Sequence, residues 1–439
     1  MHRQKFSSVR ENFLQRRYGV RLGRRYVLAA ASVMLMGVLG CSQVNNSTKA
    51  IAQSPLPSSE SPLLKKTVNL DTKVVAANTK FGFKLFSEVL KHDSKENIFI
   101  SPSSVAIALA MTYNGASGST QKTMAKALEL QGMSLEEINS SNAALKALLE
   151  NSDSVELAIA NSLWANKNTS FKPEFVQRNQ DLYKAKVTNL DFKDSRSPAT
   201  INTWVNENTQ GKINKIVDTI QPQQVLFLIN AIYFKGNWKD EFDKKQTAEY
   251  PFYQASGEEK PHLMMSRTGD YKYLENEQFQ AVNLPYGKDG KVSFYIFLPK
   301  QNNFKAFYEN LNADNWEKWM PKFRQQEGFV RLPRFKMDYD ITLNDALTTL
   351  GMGEAFSNKA DFSLMGKNLA ISQVKHKTFV EVNEEGTEAA AATSIGIVAT
   401  SAMEKPQPFR MIVDRPFFCA IRDNQTGSVL FMGSIVDPQ

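Results

Sequence analysis

Residues 74–91 (VVAANTKFGFKLFSEVLK) carry apolar side chains at the three- and four-residue intervals of a helix that buries one face. After the apolar NIFI, the hydroxyls of Ser101-Pro102-Ser103-Ser104 are expected to cap a second helix, VAIALAMTYNGA. That segment is apolar nearly all round, which predicts a buried helix. A third helix is predicted over 119–130, opening on Ser119 and Thr120 as cap residues. Strand-like runs follow at 157–166 (LAIANSLWAN), 225–238 (VLFLINAIYFKGNW), 279–286 (FQAVNLPY) and 292–299 (VSFYIFLP). The chain closes on FFCAIRD, a turn over Asn424–Gly427, and SVLFMGSIV, which together predict a hairpin. Helices gather early and strands late, so the fold class expected is α+β.

At 439 residues, with 42% hydrophobic and 10% aromatic content, the chain can hold one large domain with appendages. Positions 42–70 are rich in Ser, Asn and Pro without periodic pattern, which predicts a flexible tether over 41–70. From Asp71 the composition is globular to the end, with no second linker or repeat, so 71–439 is expected to form one domain. The formal charge of +8 would suit a nucleic-acid binder, but its location argues otherwise. Eight of the 53 basic residues and one of the 45 acidic residues lie in the first 40 positions, so the remainder is close to neutral.

Those eight (Arg3, Lys5, Arg10, Arg16, Arg17, Arg21, Arg24, Arg25) precede an uncharged run over 26–40, YVLAAASVMLMGVLG. The run is shorter than the ~20 residues of a membrane-spanning helix. A positive region, a short apolar core and small residues predict a signal peptide over 1–40. Val38-Leu39-Gly40-Cys41 also resembles the bacterial lipobox, in which Cys41 is acylated and holds the mature chain to a membrane outside the cytoplasm. An ordinary signal peptide followed by a coincidental cysteine is the alternative. With Cys41 lipidated, Cys419 is alone in its apolar PFFCAI setting and reads as a buried structural thiol.

Catalytic and metal-binding signatures are missing from the sequence. The four histidines (His2, His92, His262, His376) form no HExxH pair, and two cysteines cannot build a zinc cluster. There is no GxSxG, P-loop or GxGxxG. One SxxK occurs at Ser119–Lys122, without the SDN and KTG companions that would make it catalytic. No enzyme activity, metal or cofactor is expected.

The unusual stretch begins at Glu384: EEGTEAAAATSIGIVATSAMEKPQP. Positions 389–403 are uncharged, free of proline, and mostly small or β-branched. A buried helix, a core strand and an Ala-rich linker are all conceivable readings. Thr, Ile and Val weigh against a helix from 393, and fifteen residues would make a long strand. At period two, Thr387, Ala389, Ala391, Thr393, Ile395, Ile397 and Ala399 form one set; Glu388 places the only charge in the other. Gly386 and Pro406 flank the stretch in the manner of an exposed loop. A loop written as a buried strand suits a strand-insertion switch and would otherwise be an aggregation hazard.

Glu384-Glu385-Gly386-Thr387-Glu388-Ala389-Ala390-Ala391-Ala392-Thr393 is similar to the hinge of inhibitory serpins. The resemblance extends over about 74–436. NIFISPSSVAIALAMTYNGASGST, INTWVNENTQGKI, VLFLINAIYFKGNW and Ile412-Val413-Asp414-Arg415-Pro416-Phe417-Phe418 resemble serpin segments in the family's order. It implies a serpin fold of three β-sheets, eight or nine helices and an exposed reactive-centre loop. It implies a monomer that inhibits serine proteases as a suicide substrate: the protease is held as an acyl-enzyme while the cleaved loop enters the main sheet. Ser101, Ser104, Asn230 and His376 resemble the polar cluster beneath the sheet; Trp238 and an Arg334–Glu384 pair resemble the features where insertion starts. Counting along the hinge puts the scissile bond at Thr400-Ser401, with Ala399, Ala402 and Met403 as neighbouring alternatives. These are small or apolar, which points to elastase- or subtilisin-like targets. The region 128–150, where some serpins bind heparin-like activators, has more acids than bases and argues against such a partner. A non-inhibitory surface lipoprotein that uses the serpin body as a binding module is the alternative.

Overall fold

The computed structural model describes residues 70–93, 95–150, 155–300, 304–387 and 407–438. Cys41, Glu388, Ala389, Ala390, Ala391, Ala392, Thr400 and Ser401, with the leader and most of the tether, lie outside the described residues.

The first helix, α1 (Thr72–His92), is capped by the Asp71 carboxylate, which accepts from Lys73 N at 2.8 Å. It buries Val74, Phe81, Leu85 and Val89 along one face. Strand β1 (Ile98–Ile100) leads to α2 (Pro102–Tyr113), in which every residue is buried. Two of the expected caps are not formed. Ser101 stands at the N-cap of α2, but its hydroxyl donates to Leu430 O at 2.6 Å, tying the helix to a distant strand. The third helix, α3, runs Gly118–Ala127 with Ser117 at its N-cap; the Ser119 and Thr120 hydroxyls each donate to the Glu354 carboxylate at 2.6 Å. A remote acceptor outcompetes local capping in both helices: a backbone carbonyl at α2 and a carboxylate at α3.

There follow α4 (Leu135–Glu150), β2 (Val155–Asn166), α5 (Pro173–Tyr183), β3 (Lys186–Leu190), α6 (Ser197–Asn208) and β4 (Leu226–Asn237). The chain continues through β5 (Ala248–Tyr253), β6 (Glu259–Glu275), β7 (Phe279–Pro285), β8 (Val292–Pro299), α7 (Phe304–Asn310) and α8 (Ala313–Trp319). Next come β9 (Arg324–Pro333), β10 (Phe335–Thr342), α9 (Asn344–Leu347), β11 (Gln373–Val382) and the two-residue β12 (Gly386–Thr387). It ends with β13 (Phe409–Ile412) and the antiparallel hairpin β14 (Phe417–Asp423) and β15 (Val429–Ile435).

Among the described residues, one sheet has six strands in the order β10-β11-β12-β4-β2-β3. The other has nine: β1-β15-β14-β8-β7-β6-β9-β13, with β5 paired to β6. Three sheets were expected, and two of them are continuous here because β6 belongs to both. Its residues Met264–Tyr273 pair with β9, while Lys272–Glu275 pair with β7. The inner face of β4 packs on the nine-stranded sheet through Phe234, which meets Phe431 and Tyr286 edge-on at 5.8 and 5.1 Å. Its outer face, with Ile229, Ala231 and Tyr233, is buried in a smaller cluster with Ile201 and Val205 of α6. Strand β4 is therefore covered on both faces, which explains its almost unbroken apolar sequence.

Candidate functional site

The site lies where β4 and β11 run side by side in the six-stranded sheet. They are parallel, and seven residue pairs join them, from Gln373 opposite Phe227 to Phe379 opposite Tyr233. Beyond Val382 the chain turns at Asn383–Glu385, and β12 comes back between the two strands, antiparallel to both.

Gly386 makes that entry possible. Its φ of +151° is a conformation L side chains rarely adopt, and a Cβ there would stand 2.1 Å from Gly236 O. Thr387 follows, fully buried, its Oγ1 2.7 Å from the Tyr286 hydroxyl. The turn is held from one side by Trp238: its backbone N donates to Glu385 O and its indole N–H to Asn383 O, both at 2.9 Å. The Trp238 ring stacks on Tyr286 at 4.6 Å. On the other side, Thr247 Oγ1 donates to the Glu384 carboxylate at 2.7 Å, and Arg334 Nε lies 3.7 Å from it. Lys244 pairs with Glu385. The Arg334–Glu384 pair has a carboxylate that is only 4% exposed. Buried and doubly contacted, that carboxylate is costly to strand, so each partner holds the turn more firmly than a surface pair would.

Lower down, directly beneath the parallel pair, the polar residues converge. Asn230 on β4 faces His376 on β11. Asn230 Nδ2 donates to Ser104 Oγ at 2.6 Å and to Asn161 Oδ1 at 2.5 Å, and Asn230 Oδ1 is 2.6 Å from His376 Nδ1. Ser101 N donates to His376 Nε2 at 3.0 Å. That bond requires Nε2 to be a bare acceptor, so the ring is neutral with its proton on Nδ1, donated to Asn230. Burial agrees with this assignment, since it pushes the His376 pKa down to about 3. The cluster has one defect. Asn161 Nδ2 is buried without a hydrogen-bond partner, a loss of about 1–3 kcal/mol for an ordinary amide donor.

Ser101, Ser104, Asn230 and His376 thus come together below the sheet, and Trp238, Arg334, Glu384, Gly386 and Thr387 at its upper end. Sequence reasoning missed Tyr286, Asn161, Thr247 and Lys244. It also missed Lys212, whose ammonium lies 5.8 Å from the Tyr233 ring of β4 and 6.0 Å from the Phe379 ring of β11, spanning the two strands. No local motif marks any of them, because each acts through a partner far away in sequence.

A family model described as Serpin (serine protease inhibitor) matches residues 76–438. The chain belongs to the serpin family. An uncharacterised serpin-like protein of Thermococcus kodakarensis is 34% identical over 435 residues, covering 95% of this chain and 99% of its own. The human leukocyte elastase inhibitor is 37% identical over 380 residues, covering 83% and 99%. Among solved serpins, the thermophilic tengpin in its native state aligns with TM-score 0.78 at 36% identity, over 84% of this chain and 95% of that one. Human thyroxine-binding globulin complexed with thyroxine aligns with TM-score 0.77 at 26% identity, over 84% and 99%. Serpins are in general protease inhibitors and not catalysts, and this serpin has their α+β fold.

Proposed function

We propose that this serpin traps serine proteases as a suicide substrate, using the segment from residue 388 to the scissile bond as a strand that enters the sheet between β4 and β11 after cleavage. The register of β12 carries the reading. Thr387 stands opposite Gly236 on β4 and Val382 on β11. Counting onward antiparallel, Ala389 meets Phe234 and Val380, Ala391 meets Ile232 and Thr378, and Thr393 meets Asn230 and His376. These are residues that already pair with each other across the closed sheet in the stretch up to Phe379. Both neighbouring strands therefore accept the same register without a slip. The inward set of the sequence, Thr387 through Ala399, falls on the buried face, and Thr393 would place a hydroxyl between Asn230 and His376 as they separate.

The energetic direction follows. Insertion replaces one parallel pairing by two antiparallel ones, and the antiparallel ladder is the more stable per residue. A net gain of about ten hydrogen bonds at about 0.5–1.5 kcal/mol each would approach the stability of a whole domain. In the reaction, the protease's serine attacks the scissile carbonyl, the amine of the downstream segment leaves, and the upstream segment stays esterified to the enzyme. Water must then deacylate it. Insertion of small side chains competes with that step by pulling the enzyme from its docked position.

Cleavage near Thr400-Ser401, in a run of small and apolar residues, supports elastase- and subtilisin-like targets, as does the likeness to leukocyte elastase inhibitors. Lipidation of Cys41 would hold the serpin body outside the cytoplasm on its tether; Cys41→Ser should release it from membranes. The deciding experiment mixes the full chain with such proteases, followed by denaturing gels and the mass of the released C-terminal peptide. A complex that survives denaturation is expected, and the peptide mass fixes the bond. Cleavage without a complex would favour the non-inhibitory binding module.

A further inference from the structure

A chain of alternating cationic and aromatic groups crosses the outer face of the nine-stranded sheet, beside the point where the segment after the bait rejoins the fold. On β9, Phe329 and Arg331 project to the same face, opposite in sense to the buried Val330 and Leu332. Arg410 of β13 stands opposite Phe329 in the parallel ladder, its guanidinium 4.7 Å from the Phe329 ring. Arg331 lies 5.4 Å from the same ring and 3.5 Å from the Tyr250 ring of β5. The order across the strands is thus Arg410, Phe329, Arg331, Tyr250. Arg331 Nε donates to Ser266 Oγ at 3.1 Å, and among the described residues neither guanidinium has an ion-pair partner. Most charged side chains in the six-stranded sheet are handled differently. Lys375 and Lys377 pair with Asp340 and Asp338, both at 2.8 Å. Two guanidiniums without ion-pair partners, each lying over an aromatic ring, therefore form a cationic patch on this face.

Where this surface lies decides what can cover it. Strand β13 begins at Phe409, and Gln326 of β9 donates to Gln407 O at 3.1 Å, so the chain is fixed to this sheet from its first described residue after the bait. Arg410 stands about ten residues past Thr400-Ser401, a contour of at most ~35 Å. A protease of roughly 250 residues has a radius of gyration of about 18 Å, hence a diameter of about 45 Å. An enzyme engaged on that bond is therefore held within reach of this end of the sheet before any insertion takes place.

We propose that the Arg410–Phe329–Arg331–Tyr250 array is an accessory docking surface for the target protease, and that it selects enzymes bearing carboxylates beside the active-site cleft. The inference rests on the trapping function above, since the protease is brought here by the bait. Cations on an interface rim act on association, accelerating encounter with a complementary charge and weakening as salt rises. They have no part in the acyl-enzyme chemistry or in strand insertion.

The test uses one subtilisin-type protease in two forms, unmodified and succinylated, so that the same active site presents either lysines or carboxylates. The full-length serpin and its Arg331→Gln/Arg410→Gln variant are each mixed with both forms, and the rate of covalent trapping is measured against ionic strength. For the native serpin the succinylated enzyme should be captured faster, by about tenfold at low salt, with the advantage fading as salt screens it. In the double variant the two forms should be trapped at rates within about twofold of each other. Thermal unfolding, and the stoichiometry with the unmodified enzyme, should match the native protein. An unchanged rate ratio in the variant overturns the proposal, as does a ratio lost only together with thermal stability, which would make the array a strand clamp. A native serpin that binds dextran sulfate through these arginines yet does not distinguish the two enzymes also overturns it, in favour of a polyanion. If the bait is cut without trapping, the inhibitory reading fails alone, and the same ratio taken from the cleavage rates still decides the docking surface.

Discussion

His376 is the residue where sequence, packing and chemistry meet most tightly. Its ring is neutral because Ser101 N–H occupies Nε2 and no solvent reaches it, and its pKa falls to about 3 from the usual 6.5. Between those two values the unfolded chain binds a proton that the folded chain refuses, so stability should decline as pH drops from about 6.5 toward 3 and be insensitive to this group above that window. Urea melts across that range check it. His376→Gln, which keeps a donor and an acceptor, should flatten the acid limb while costing about 1–3 kcal/mol at neutral pH for imperfect buried bonds. A second residue-scale expectation concerns Gly386. Gly386→Ala forces a Cβ against Gly236 O, so β12 cannot seat, and the serpin should be cut more often than it traps, with a several-fold rise in inhibitor consumed per enzyme on titration. His376 and Gly386 were legible through resemblance to the family's motifs. Tyr286 was not: in FQAVNLPY it looks like any aromatic at a strand end, and only the fold brings it to Thr387.

Among the elements, the bait is defined by which of its side chains the closed sheet can accept. In the proposed inserted form, Thr393 would reach the level of Asn230 and His376, a polar and tightly bonded level of the β4–β11 seam. Thr393→Arg would drive a charge into a buried layer that has no carboxylate among its hydrogen-bond partners, and desolvation alone would stall insertion there. On denaturing gels that variant should yield cleaved serpin and free protease in place of the covalent band. Periodicity revealed the long elements well. The α1 stripe, the wholly buried α2 and the strands β2, β4, β7 and β8 are found where their patterns place them. Short elements such as α7 and α9 carry too few residues to show a period, and the fusion of two sheets through β6 was hidden because β6 is mostly polar and half-exposed. The caps failed for a related reason: a hydroxyl's choice between its own helix and a remote acceptor is settled by tertiary contact.

For the molecule as a whole, the closed form keeps a parallel seam of seven residue pairs, an orphan amide at Asn161 and a lysine spanning two rings across the seam. Strand order of this kind cannot be read from sequence, because β11 lies next to β4 only after some 140 intervening residues have folded around the second sheet. The arrangement makes a global prediction. If the bait enters once cut, the seam is replaced by two antiparallel ladders and the cleaved molecule must be more stable than the intact one. A gain of about 5–15 kcal/mol, at about 1.3 °C per kcal/mol for a domain of about 370 residues, corresponds to a rise in Tm of about 6–20 °C. Calorimetry before and after limited cleavage by a non-target protease measures this directly, since no acyl-enzyme is needed. A cleaved form melting with the intact one would mean that the strands never part, and the seam would then be an ordinary, if unusually polar, part of the core.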